Sequence, residues 1–243
     1  MTMYTRLPAL AFVLFAGAPA IAQPIQLNED FTVGNNSIAQ LQSRGWILQN
    51  NSDSPNPSGA WGPGASLFNP PPSGPNGSYW ASDFTTTGAD PGNISDWLLT
   101  PVLTLRAGVT MSFFTRSGGE FPDRLQVRLS TAGTSSNVGA TPTGVGDFTT
   151  LKLDINPTMA PGGSAGYPLI WTQFSVTLSV GEVPTPTTGR FGFRYFVPGS
   201  SAVNGPADVI GLDSVIVTVP EPTSLTLVGL AIGVGIVRRR SRS

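Results

Sequence analysis

The sequence predicts an all-β protein whose body is a single antiparallel β-sandwich. Glycine and proline are frequent, with 29 and 23 of the 243 residues, and neither is well tolerated inside a helix. From residue 23 to residue 218 no segment has helical periodicity of useful length, whereas several alternate apolar and polar residues with a period of two. Short strands separated by Gly, Pro and Asn turns are typical of antiparallel sandwiches.

Five segments carry the clearest strand pattern. They are, in chain order, VTMSFFT (109–115), RLQVRLS (124–130), FSVTLSV (174–180), RFGFRYF (190–196) and VIGLDSVIV (209–217). The first four place their apolar residues on one face, and the last is apolar on both faces except at Asp213, which predicts a central strand. The predicted core residues are Trp97, Phe113, Val127, Phe174, Phe193 and Leu212. Two irregular stretches, 51–77 and 156–168, predict surface loops.

The N-terminal 22 residues predict a secretory signal peptide. Arg6 supplies a basic start, residues 7–16 are apolar, and Ala20 and Ala22 form a small-x-small cleavage site. We expect cleavage after Ala22. A buried helix or a membrane anchor is the alternative, but the apolar run is short for a membrane span and a good cleavage site follows it.

The C-terminal segment, residues 219–243, does not continue the sandwich pattern. Pro220 and Pro222 hold the peptide around Glu221 extended and stop the preceding strand. Residues 223–237 are 15 uncharged residues, about 22 Å long as a helix against a hydrocarbon core of roughly 30 Å. The arginines beyond this marginal transmembrane helix are expected to stay cytoplasmic, which places the body outside the cell. These arginines are Arg238, Arg239, Arg240 and Arg242.

This three-part tail resembles the bacterial PEP-CTERM sorting signal. The residues that carry the resemblance are Pro220, Glu221, Pro222, Arg238, Arg239 and Arg240, together with the apolar helix between them. The resemblance implies an exported protein of a Gram-negative bacterium that is tethered in the membrane as a precursor and processed by an exosortase. It further implies a location at the cell surface or in the extracellular matrix, and an association with exopolysaccharide and biofilm. An ordinary tail anchor that is never processed is the alternative.

The body, residues 23–218, also resembles a known family. The segments SDWLLTPVLTL (95–105) and VIGLDSVIV (209–217) follow one another as in the choice-of-anchor J domain, which is related to cleaved-adhesin and MAM-type jelly rolls. The resemblance implies a lectin-like, jelly-roll-like sandwich found on exported proteins with different anchors, and no single activity. The family often closes with two adjacent acids, whereas here Ser214 follows Asp213, which weakens a site built on that pair.

Charge and composition exclude several classes of function. The body, without the basic and acidic residues of the two terminal segments, has 8 basic and 13 acidic residues, which gives 8 − 13 = −5. Phosphate binding needs clustered lysine and arginine, so we expect no nucleic-acid partner. The chain has no histidine and no cysteine, which excludes Ser-His-Asp triads, thiol nucleophiles and Cys/His zinc sites. Lys152, needed for a Ser-Lys pair, is expected to be solvated on an outward strand position.

Calcium is the cofactor that an acidic body of this kind could take. First and last strands commonly pair in jelly rolls, which would bring Glu29 and Asp30 near Asp213. Three converging carboxylates would repel one another unless a cation such as calcium bound them. In the alternative, Asp213 accepts backbone hydrogen bonds or pairs with an arginine, while Glu29 and Asp30 remain in solvent.

Aromatic residues beside the first long loop are candidates for glycan binding. Trp61, Tyr79 and Trp80 could stack on sugars of an extracellular polysaccharide or surface glycan, or they could cover the open edge of the sandwich. The sequence therefore predicts a non-enzymatic adhesion or matrix module. The alternative is a secreted glycan-active hydrolase, which would need only two carboxylates at the right separation.

Overall fold

The computed structural model describes residues 24–32, 34, 37–201 and 205–220. This part of the chain folds into two antiparallel β-sheets that pack face to face, so the predicted all-β sandwich is confirmed. Its strands are β1 (Ile25–Glu29), β2 (Ile47–Asn50), β3 (Gly62–Pro63), β4 (Trp80–Asp83), β5 (Gly92–Leu99), β6 (Leu103–Leu105), β7 (Thr110–Ser117), β8 (Leu125–Ser130), β9 (Thr150–Ile155), β10 (Thr172–Thr177), β11 (Thr187–Ser200) and β12 (Val209–Thr218). One α-helix, α1 (Ile38–Ser43), and a 3-10 turn at Phe84–Thr86 accompany them.

The two sheets have six strands each. Sheet A has the order β10-β7-β12-β4-β3, and β1 also pairs with β12; sheet B has the order β2-β5-β11-β8-β9, and β6 pairs with β11. The expected pairing of first and last strands is present, with Glu29 opposite Val215. β12 is bonded along both edges, as predicted for a strand that is apolar on both faces.

Cross-strand register explains how sheet B separates its two faces. Directly opposite residues point to the same face of a sheet, and neighbours along a strand point to opposite faces. One row across the sheet is apolar and faces the core: Leu48, Leu98, Phe193, Val127 and Leu153. The adjacent row faces outward: Gln49, Trp97, Arg194, Gln126 and Asp154. The period-two pattern therefore predicted the faces of β8 and β11 correctly.

Most of the predicted core is confirmed. Phe113, Val127, Phe193 and Leu212 are fully buried between the sheets, and Phe174 is partly buried with its ring 6.0 Å from that of Phe113. Trp97 is buried elsewhere. It belongs to a second, smaller cluster on the outer face of sheet B, with Leu99, Val138 and Phe148.

Three local expectations were wrong. β10 ends at Thr177, so Val180 is not part of its apolar face and is 69% exposed. The stretch 51–77 is not wholly a surface loop, because it buries Trp61 and Phe68. The short helix α1 was missed, although Ser37 and Gln40 form a capping box at its start, a signal that the sequence contains.

Candidate functional site

The outer face of sheet B is half covered by the chain itself. The loop between β8 and β9, residues 131–149, folds over the β2 and β5 side of the sheet. Its Phe148 ring lies 5.6 Å from the Trp97 ring, and Gln49 Nε2 donates a hydrogen bond of 2.9 Å to the Ser136 carbonyl. This loop makes the second apolar cluster and forms a border beside the strands β11, β8 and β9.

Three arginines lie beside this border, and we call Arg124, Arg128 and Arg194 the arginine cluster. They are held together through Gln126, the β8 residue of the outward row. Its Oε1 accepts hydrogen bonds from Arg128 Nε (2.9 Å) and Arg194 Nη1 (3.2 Å), and its Nε2 donates to Asp154 Oδ2 (3.1 Å). Arg124 makes two parallel hydrogen bonds to the same carboxylate, of 2.8 and 2.6 Å. The three guanidinium groups therefore converge on one polar row.

Arg194 is the innermost member and is almost completely buried, with 2% of its surface exposed. Its guanidinium donates to the Ser95 hydroxyl at 3.0 Å and to the Pro142 carbonyl, and it lies 3.8 Å from the centre of the Phe196 ring. Burial lowers the pKa of Arg194 to about 9, and the positive charges of Arg128 and Arg124 act in the same direction. At neutral pH the group therefore keeps its charge.

The charges in this cluster do not balance. Among the described residues, Asp154 is the one carboxylate bonded within the cluster, to Arg124 directly and to Gln126, so three guanidiniums and one carboxylate leave a local excess of two positive charges. Arg124 Nη1 and Arg128 Nη2 make no hydrogen bond to any described residue, and neither is among the buried polar atoms without a partner, so both reach solvent. Two guanidinium edges are thus available to an anion.

The aromatic residues predicted to stack on sugars are not available for that role. Trp61, Tyr79 and Trp80 are 0%, 1% and 0% exposed. The indole N–H of Trp61 donates to the main-chain carbonyl of Asp96 at 3.1 Å, and the Tyr79 hydroxyl donates to the Ala65 carbonyl at 2.9 Å. Their burial fits the alternative, in which these residues cover the sandwich, and Trp61 is buried because the first long loop folds back.

The three carboxylates predicted to share a calcium ion, those of Glu29, Asp30 and Asp213, do not form one group. Glu29 is buried and accepts two hydrogen bonds from the Arg44 guanidinium, of 2.8 and 3.1 Å. Within residues 24–32, 34, 37–201 and 205–220, no three acidic side chains are placed to hold a metal ion together. The predicted three-carboxylate site is therefore absent from this arrangement, and pairing with an arginine applies to Glu29.

Asp213 instead lies at a β-bulge in β12 and is buried. Its carboxylate accepts hydrogen bonds from the main-chain N–H groups of Ser73 (3.0 Å) and Ser214 (2.6 Å), and burial raises its pKa to about 6. The Ser73 hydroxyl lies 3.2 Å from both carboxylate oxygens and 3.5 Å from the main-chain carbonyl of Asp30. The structure therefore brings Asp30 and Asp213 to one hydroxyl group, with Asp30 contributing main chain.

Another buried carboxylate, Asp123, ties together the loops at one end of the sandwich. Its Oδ1 accepts hydrogen bonds from the Tyr195 hydroxyl (2.5 Å) and from the main-chain N–H of Asp208 (3.0 Å), whereas its Oδ2 is buried without a partner among the described residues. Burial raises the pKa of Asp123 to about 6, and these hydrogen bonds offset only part of that effect. Because the folded protein binds this proton more tightly than the unfolded chain does, its stabilising contribution is complete below about pH 4 and is lost as the pH rises through 6.

We expect Asp123→Asn to remove this pH dependence. Between pH 4 and pH 7 the free energy of unfolding of the native protein should fall relative to that of the variant, by about 3 kcal/mol for a shift of about two pKa units. Urea unfolding at several pH values measures the difference. Asp30→Asn, a matched change at an exposed residue, is the control. A difference between variant and native protein that stays constant with pH would contradict the assignment.

The last residues of the body hold the start of the sorting segment. Val219 N–H donates to the Pro24 carbonyl at 2.9 Å, and the Arg106 guanidinium donates to the Pro220 carbonyl. A Cβ at Gly108 would lie 2.7 Å from Pro220 Cγ, so this close contact requires glycine.

The other predicted processing residues lie outside the described residues: Ala20, Ala22, Glu221, Pro222, Arg238, Arg239 and Arg240. In the described part of the chain no helix is both long enough and apolar enough to cross a bilayer, and the predicted membrane helix at 223–237 is not in that part.

Comparisons with known proteins agree with both the tail and the fold. Residues 218–241 match the PEP-CTERM protein-sorting motif, which marks an exported protein sorted to the cell surface. The K3 cleaved adhesin domain of Lys-gingipain from Porphyromonas gingivalis W83 is similar in structure over 81% of this chain and 100% of its own, with 21% identity and a TM-score of 0.50. The K2 cleaved adhesin domain of Lys-gingipain is 16% identical over 80% of this chain and 98% of its own, also with a TM-score of 0.50. No curated protein matches the sequence. At these identities the likeness shows the fold.

Proposed function

We propose that this chain is an exosortase-processed surface protein whose body is a non-enzymatic adhesion or matrix module for extracellular polysaccharide. The observation that carries the proposal is the sorting motif at residues 218–241, which begins where the folded body ends. The sandwich shared with cleaved adhesin domains supports an adhesive role for the body. We further propose that the body is a choice-of-anchor J domain and that the protein is associated with biofilm and exopolysaccharide.

The chemistry of the body supports a binding role over a catalytic one. The chain has neither histidine nor cysteine, so its reactive groups would have to be carboxylates or Lys152. Lys152 donates to the Glu182 carboxylate and, at 3.0 Å, to the Thr177 carbonyl. Lys152 is thus engaged in an ion pair, whereas the sequence predicted a solvated lysine, and neither contact gives it a serine hydroxyl to deprotonate as a base.

One pair of carboxylates favours the alternative, a glycan-active hydrolase. Asp83 stands opposite Val209 in the β4–β12 pair, next to Asp208. Burial raises the pKa of Asp208, and the negative charge of Asp83 raises it further. A raised pKa is what a glycosidase needs in the carboxyl group that acts as its acid, beside a second carboxyl group.

A single preparation separates the two functions. The mature exported protein is applied to an array of bacterial and plant glycans, and the same sample is incubated with those glycans and assayed for released reducing ends. We expect retention on glycans without hydrolysis. Hydrolysis that disappears in Asp208→Asn would favour the enzyme and contradict the adhesion module.

Calcium binding by the body is a separate proposal. The oxygen atoms gathered at the Asp213 bulge fit a hard cation: the Asp213 carboxylate, the Ser73 and Ser214 hydroxyl groups and the Asp30 carbonyl. Binding to the folded state alone would stabilise it by about 2.7 kcal/mol at a calcium concentration a hundredfold above Kd.

The melting temperature is therefore expected to fall on addition of a chelator and to return with calcium. Asp213→Asn should blunt this response, because it removes the ligand charge. Asp30→Asn should keep it, because Asp30 would contribute its main-chain carbonyl. A melting curve indifferent to chelator would refute calcium binding.

A further inference from the structure

We infer that the arginine cluster on the outer face of sheet B binds the anionic groups of an acidic polysaccharide. The inference rests on the proposed adhesion function and names its ligand class, the carboxylate or sulfate groups of a charged glycan. The first observation is charge: the body carries a net charge of −5 by its residues, yet the arginine cluster sets three guanidiniums against the one carboxylate of Asp154. An anion that binds here relieves the mutual repulsion of the arginines, whereas a cationic or neutral ligand does not.

The second observation is that the donors are already held in place. Arg124 is fixed by its two hydrogen bonds to Asp154, and Arg128 by Gln126 Oε1 at 2.9 Å and the Phe148 carbonyl at 3.3 Å. Both still direct one nitrogen to solvent. Because these side chains are ordered before a ligand arrives, binding costs little side-chain entropy. Planar guanidinium groups also match the two oxygens of a carboxylate or sulfate.

The third observation concerns the aromatic ring inside the cluster. Phe196 is half-buried, and the guanidiniums of Arg194 and Arg124 lie 3.8 and 5.3 Å from its centre. This ring therefore supports the cations by cation–π contact and has less surface free to stack on a sugar. Recognition at this face is ionic, so it should weaken with salt and should not extend to uncharged glycans.

The test uses the mature protein and three soluble polymers: polygalacturonate, which carries carboxylates, dextran sulfate and uncharged dextran. We expect the native protein to bind the two charged polymers, to bind them less at 1 M salt, and not to bind dextran. The ratio between the charged polymers distinguishes carboxylate from sulfate as the preferred group.

Arg128→Gln is expected to weaken binding to the preferred polymer by about tenfold, since a hydrogen bond to a charged group is lost. Arg116→Gln is the matched control. Arg116 is half-buried like Arg128, but it lies on β7 in the other sheet, where its guanidinium packs over the Phe68 ring, so this change should leave binding as it is. Asp154→Asn should strengthen binding, because it removes the competing carboxylate; loss of fold alone would not produce that gain.

The two proposals fail in different ways. If Arg128→Gln and the native protein bind charged polymers equally, or if the native protein prefers dextran, the arginine cluster is not the site and the adhesion module stands. If the native protein binds none of these polymers and none of the glycans on the array, the adhesion module itself is contradicted.

Discussion

Replacement of Glu221 by Ala, or deletion of residues 238–242, is expected to leave an unprocessed precursor in the membrane fraction. The first change alters the centre of the triplet within the matched motif, and the second removes the arginines that keep the end of the chain cytoplasmic. Fractionation followed by immunoblotting measures the two forms. The effect should be close to complete, since a precursor that is not cut keeps its apolar segment.

The folded end of the body also predicts where the exosortase cuts the chain. Residues up to Thr218 are bonded within sheet A, and Pro220 is held by Arg106. We therefore expect mass spectrometry to find the mature C-terminus at Glu221 or beyond. Glu120→Ala, at an exposed glutamate of the body, should be processed normally. If both tail variants reach the outside at the mature size, processing by an exosortase is wrong.

Leu212→Ala is expected to reduce the free energy of unfolding by about 2–5 kcal/mol, because truncation of a buried leucine removes apolar contacts and leaves a cavity. Leu212 is 0% exposed, in the central strand β12, opposite Trp80 on one side and Thr115 on the other. Urea unfolding, followed by tryptophan fluorescence, measures the loss.

The matched control is Leu67→Ala, the same chemical change at a residue that is 62% exposed. It should change the free energy of unfolding by no more than about 0.5 kcal/mol. Equal losses in the two variants would show that Leu212 does not lie in the common core.

The sequence was sufficient for features that depend on one strand at a time. Alternation in β8 identified Leu125, Val127 and Leu129 as inward, and these residues are buried. The doubly apolar pattern of 209–217 identified the central strand, and the terminal motif identified the tail. Each of these signals is local, because side-chain direction along a strand follows from the backbone period alone.

The candidate site could not be predicted in the same way. Alternation places Arg128 and Arg194 on outward faces, but only the strand order, with β8 beside β11, brings them to a common partner, Gln126. For the aromatic residues, the local sequence suggested exposure where the fold gives burial. Trp61 and Tyr79 lie among prolines and glycines that suggest an exposed loop, yet tertiary packing buries them. Whether a loop folds back over a sheet is decided by contacts distant in sequence.

The bond between Val219 N–H and the Pro24 carbonyl places the two ends of the body side by side. Tension from a tether at the C-terminal end would therefore enter the sandwich through β12, in the interior of a sheet. Near that end Ile216 stands between Asn28 on β1 and Ser112 on β7, so hydrogen bonds on both edges oppose the pull. A force along the strand loads these bonds in shear, all at once, whereas an edge strand can be peeled off bond by bond. A surface protein that holds a glycan in flowing water would carry the drag through a strand that is bonded along both edges.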